Sequence, residues 1–159
     1  MSSLLVIGVG NPDRGDDAAG WIAAKRVADR CQGWVGGGPG KVRVCQSAGD
    51  PASLIDAWDG AEDVVVIDAV VTGGPVGTVC VVDLLRQPGF PVGRQVSSHG
   101  MGPAEAVALA RSLDTLPASL TLVGIEAKSF TPGDGLSPGV LEGIEAALDL
   151  IEARHRGGS

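Results

Sequence analysis

Leu4-Leu5-Val6-Ile7-Gly8-Val9-Gly10-Asn11-Pro12-Asp13-Arg14-Gly15-Asp16-Asp17 is the stretch whose reading decides the fold. An apolar run enters a glycine-rich turn, and a helical pattern follows it. The run from Ser3 to Val9 predicts a buried first strand. Glycines let the chain turn tightly and approach a ligand closely. From about Asp16 to Cys31 a helix is predicted, with Ala19, Ile22, Ala23 and Val27 on one face. The turn thus delivers two adjacent carboxylates to the mouth of a helix, where they repel each other. A cation, a proton or a substrate donor would offset that repulsion.

Working outward, Val42 to Gln46 predicts a second strand, and Pro51 to Trp58 a short helix begun by Asp50. Asp63-Val64-Val65-Val66-Ile67-Asp68 is apolar on both faces and ends in a carboxylate, as a buried parallel strand would. Gly77 to Asp83 and Leu120 to Ile125 predict two further strands, with a helix from Pro103 to about Leu113 between them. Pro138 opens a last helix, in which Val140, Ile144, Ala147, Leu148 and Ile151 share a face. Strands and helices alternate, so the predicted architecture is a three-layer α/β/α sandwich with a mostly parallel central sheet of about five strands. The Gly36 to Gly40 stretch reads as a loop, because too little chain precedes it to form a domain. One domain over residues 1–159 is expected, with a polar tail from about residue 154.

Composition narrows the function classes. Aromatics are 3% of the chain, so the core must be aliphatic. A formal charge of −7 disfavours nucleic acid and anionic membrane as partners. No apolar run approaches the roughly 20 residues of a membrane span, and no signal peptide is evident. Cys31, Cys45 and Cys80 are distant from one another and form no CxxC pair, so reduced, buried thiols are expected. A cytoplasmic monomer is the resulting expectation.

In an open α/β sheet, ligands sit beyond the carboxyl ends of the strands. That rule gathers Asn11 to Asp17, Ser47 to Asp50, Asp68 and Glu126 near one rim. Asp17 and Asp68 are the first candidates for chemistry. The bland reading makes Asp17 a helix-end acid, contributing about 0.3–1 kcal/mol, and Asp68 a turn cap. His99, in Ser97-Ser98-His99-Gly100-Met101-Gly102, is the third candidate, against a solvated loop histidine. Two carboxylates and an imidazole form an incomplete ligand set suited to nickel, zinc, manganese or iron. His155, between Arg154 and Arg156, reads as solvated charge. Gly8 to Asn11 misses the fuller dinucleotide pattern, and Asp16-Asp17 would face the phosphates. No GxSxG supports a serine hydrolase.

These residues resemble the hydrogenase maturation protease family. Gly8-Val9-Gly10-Asn11 with Asp16-Asp17 and Gly20 is similar to its opening motif, and Val66-Ile67-Asp68-Ala69-Val70 to its central aspartate. Ser98-His99-Gly100-Met101-Gly102 resembles its histidine loop. Leu122 to Glu126 with Leu136-Ser137-Pro138 resembles its last strand and final helix entry. The likeness runs from Leu4 to about Ala153.

The resemblance implies an endopeptidase, aspartic-type by classification. Its expected partner is the precursor of a nickel-containing hydrogenase large subunit, from which it removes a C-terminal extension after nickel insertion. It implies that Asp17, Asp68 and His99 are the catalytic and metal-binding residues. The nickel belongs to the substrate, and no permanent organic cofactor is expected. Asp16 is then the helix cap, and Asp50 caps the second helix. Two departures stand out: Asp17 replaces a frequent Glu, and Gln46-Ser47-Ala48-Gly49-Asp50 replaces an Asp-Gly-Gly-like turn. The alternative is a noncatalytic nucleotide-binding or nickel-binding domain.

Overall fold

The computed structural model describes residues 3–30, 41–87 and 103–157; His99 and Cys31 lie outside the described residues. Strand β1 spans Leu4–Val9 and α1 Ala19–Arg30, with a short 3-10 turn over Gly15–Ala18 between them. There follow β2 (Val42–Ser47), α2 (Pro51–Trp58), β3 (Asp63–Val70) and β4 (Val79–Asp83). Then come α3 (Pro103–Leu113), β5 (Ser119–Glu126) and α4 (Val140–Gly157).

The five strands form one sheet in the order β2-β1-β3-β5-β4. The first four in that order are parallel, and β4 runs antiparallel on the edge of β5. Side chains alternate across a strand, which gives the sheet two apolar faces. Leu4, Val6, Val65, Ile67, Val123 and Ile125 face α1 and α4, meeting Ala23, Val27, Ile144 and Leu148. Leu5, Ile7, Val64, Val66, Leu120 and Leu122 face α2 and α3, meeting Leu54, Trp58, Val107 and Ala110. This is the three-layer sandwich expected from the alternation of elements.

Two glycines let the α1 layer close on the sheet. A Cβ on Gly20 would lie 2.2 Å from the Val9 carbonyl oxygen and 2.5 Å from that of Ile67. A Cβ on Gly8 would lie 2.2 Å from the Gly20 carbonyl oxygen. The start of α1 therefore rests on bare backbone at the β1–β3 seam. Asp50 caps α2 as expected, its carboxylate accepting the Ser53 amide at 3.1 Å, with Pro51 in the first turn.

Three expectations need correction. The final helix begins at Val140 and continues to Gly157, through the stretch read as a polar tail. His155 is accordingly buried, not solvated, at 9% exposure. It falls four residues after Ile151, one turn further along the same apolar stripe. Strand β3 does not stop at Asp68 but continues to Val70.

Candidate active site

The chain steps from β1 to β2 on one side, then returns to β3 on the other. That reversal opens a crevice at the carboxyl ends of β1 and β3, where open α/β sheets bind ligands. Pairing between these strands ends at Gly8 and Ile67. Asp68 is thus the first β3 residue beyond β1, although β5 continues beside it to the Val70–Glu126 pair. The Gly10 to Asp17 turn fills the space above.

Asp17 and Asp68 are both fully buried in this crevice. Asp17 accepts the Asn11 amide at 3.1 Å. Neither carboxylate oxygen of Asp68 accepts a hydrogen bond among the described residues. Burial pushes the Asp68 carboxyl well above the usual range, and the charge of Asp17 pushes it further; the Ala69 amide opposes them. Burial and the neighbouring Asp17 charge thus favour the protonated form of Asp68, and a cation would relieve both. Asp17, rather than Asp16, is the acid whose charge acts on Asp68.

Asp16 faces away from that pair and does not cap α1. It is fully buried and accepts the amides of Lys128, Ser129 and Ser137 at 2.9, 3.0 and 2.6 Å. Burial alone would raise its carboxyl, but those backbone amides, together with the Ser137 side chain, outweigh it and hold the group below the ordinary carboxylate range. The 3-10 turn before α1 has no side-chain cap, which leaves Asp16 to reach the β5–α4 connection.

The turn is poorly suited to phosphate. Its Gly10, Asn11, Asp13 and Arg14 amides donate to Ser47, Asp17, the Asn11 side chain and the Asn11 carbonyl. The Asp16 and Asp17 amides donate to the Ser129 and Arg14 carbonyls. A phosphate cradle needs such groups pointed at its ligand. The nucleotide-binding alternative loses its structural basis here.

Glu126 has a role that the sequence did not reveal. At 4% exposure it accepts the Thr72 amide at 2.8 Å, the Thr72 hydroxyl, and the Gly73 amide at 3.3 Å. It thereby shapes the loop that leaves β3 beside Asp68. Asp50 serves its helix, and Ser47 accepts the Gly49 amide at 3.0 Å. Cys45 and Cys80 are half-buried free thiols with pKa values raised by burial. Among the described residues no group of three or more His, Cys, Asp or Glu side chains is arranged to hold a metal ion. No helix among them is long and apolar enough to cross a membrane.

Comparison with known proteins agrees with this architecture. The sequence model of HycI, hydrogenase maturation protease, matches residues 27–154. The hydrogenase expression/formation protein HupD of Thiocapsa roseopersicina is 30% identical over 148 residues, covering 92% of this chain and 65% of the relative. The chain thus spans just under two thirds of that relative's length. The hydrogenase 2 maturation protease of Escherichia coli is 28% identical over 156 residues, covering 96% of this chain and 90% of the relative. The solved structure of the hydrogenase maturating endopeptidase HybD from Escherichia coli superposes with a TM-score of 0.78 at 26% identity, covering 98% of this chain and 94% of that one. With a family match over most of its length and the same fold, the chain belongs to the hydrogenase maturation protease family.

Proposed function

We propose that this chain is an endopeptidase that removes the C-terminal extension from the precursor of a nickel-containing hydrogenase large subunit. It acts on the precursor once nickel is in place, and Asp17, Asp68 and His99 hold that nickel during cleavage. The observation that carries the reading is Asp68: a wholly buried carboxyl without a hydrogen-bond partner among the described residues, facing the charge of Asp17. Such a pair is costly until a cation enters. His99 precedes α3 by four residues, and α3 packs on the sheet face that carries Val64 and Val66 in line with Asp68.

The substrate's nickel supplies the countercharge that lets Asp68 lose its proton and ligate beside Asp17. The ion then polarises the scissile carbonyl or acidifies an attacking water. Without nickel, Asp68 keeps its proton and the docked precursor brings no ion to the scissile bond, so it is not cut. This accounts for selectivity toward the nickel-loaded form. The free thiols of Cys45 and Cys80 support placing the reaction in the reducing cytoplasm.

The test is cleavage of purified precursor, with and without nickel, followed by intact-mass spectrometry. The wild-type chain should shorten only the loaded precursor. Asp17→Asn, Asp68→Asn and His99→Ala should each slow cleavage about a hundredfold or more. Cleavage of the nickel-free precursor at the same rate, or wild-type rates in Asp68→Asn, would overturn the assignment.

A further inference from the structure

We infer that Asp16 is a positioning residue for this reaction, holding Asp17 toward Asp68 by clamping two distant loops together. The inference rests on the proposed role of Asp17 and Asp68. Asp16 spans the residues before α1 and those between β5 and α4. Its Oδ2 accepts the Lys128 and Ser129 amides, and its Oδ1 accepts the Ser137 amide. The same two loops are joined by the Asp16 amide to Ser129 oxygen at 2.8 Å and the Gly133 amide to Asp13 oxygen at 3.0 Å. The Arg14 Nε donates to the Phe130 carbonyl at 3.3 Å. Gly15, at φ +56°, has no room for a side chain, since a Cβ would meet the Ser129 oxygen at 2.6 Å.

These contacts converge on the residue preceding Asp17. A carboxylate with three amide donors is a rigid, charge-assisted anchor. Fixing the backbone at Asp16 fixes the direction in which Asp17 departs. The two neighbouring acids therefore divide the work: one binds its own protein, and the other is presented to the crevice.

Asp16→Asn tests this with almost no change in size. Its NH2 group cannot accept, so it confronts amide donors on at least one side and loosens the clamp. Cleavage of the nickel-loaded precursor should show kcat lowered about a hundredfold, as expected for a misplaced catalytic group. KM should stay within about threefold of wild type, because the contacts that dock the precursor remain. The assay is run where circular dichroism shows both proteins fully folded, so lower stability by itself leaves kcat unchanged. Should Asp16→Asn not fold, Gly15→Ala forces the same loops apart with every carboxylate retained, and the same loss of kcat is expected. Wild-type kcat in either folded variant overturns the positioning role alone. A wild-type chain that leaves the loaded precursor uncut overturns both this role and the proposed function.

Discussion

The charge of Asp17 acts on Asp68 across the β1–β3 crevice, adding to the effect of burial, so that Asp68 holds its proton more tightly in the folded chain than in the unfolded one. The stabilisation from that proton is complete below the ordinary value of 3.8 and is lost as pH rises through the raised one. Asp16 has the opposite sign: its lowered pKa gives stability above 3.8 that is lost on acidification. Comparing wild type with Asp68→Asn isolates the first effect. In metal-free buffer the variant should gain thermal stability over wild type between pH 5 and pH 8. Each kcal/mol of that gain corresponds to roughly 2–4 °C. Calorimetry at both pH values checks it; a difference in Tm that does not change with pH contradicts the coupling.

Gly20→Ala should be among the most damaging single-methyl additions in this chain. The added carbon meets two carbonyl oxygens of the β1–β3 seam, and neither belongs to a flexible side chain. A loss of about 3 kcal/mol is expected, at the upper end for overpacking. Urea denaturation measures it. A loss below about 0.5 kcal/mol, the level of an ordinary surface change, would mean that α1 can shift away from the sheet.

Glu126→Ala should release the loop after β3. The Thr72 and Gly73 amides lose their acceptor, at a cost of about 1–3 kcal/mol. Hydrogen exchange is the direct measurement: protection should fall at Thr72 and Gly73 while the β3 amides of Val65 and Val66 keep theirs. Uniform loss across β3 would show that Glu126 supports the sheet instead of the loop.

Asp50→Ala should lower stability by about 0.5–2 kcal/mol, the usual cost of a lost cap, and leave precursor cleavage unchanged. Asp50→Ser should recover most of that stability. A fall in cleavage rate with stability restored would instead move Asp50 into the crevice chemistry.

Much of this architecture could be read from local pattern, because the relevant signals are local. The aliphatic run of β3, the Asp50-Pro51 helix start and the stripe from Val140 to Ile151 each sit within one element. The antiparallel direction of β4 was also available. Residues 71–78 form too short a link for a parallel crossover, which needs about a dozen or more. His155 continued a periodicity already noted, but its charged neighbours obscured it. The role of Asp16 was different in kind. Its partners lie 112 to 121 residues away and hold it chiefly through backbone amides, which leave no trace in side-chain identity. Glu126 is non-local in the same way, its Thr72 and Gly73 donors being 54 and 53 residues distant.

Because Asp16 is held by Lys128, Ser129 and Ser137, the order in which the chain is synthesised matters for the crevice. A nascent chain emerges from its amino end. It presents Asp17 and Asp68 well before the segment that secures Asp16 has left the ribosome. On the positioning role inferred for Asp16, the two crevice acids reach their final arrangement only after β5 and the approach to α4 are in place. Until that segment has emerged, a growing chain carries the acids without the geometry that Asp16 secures.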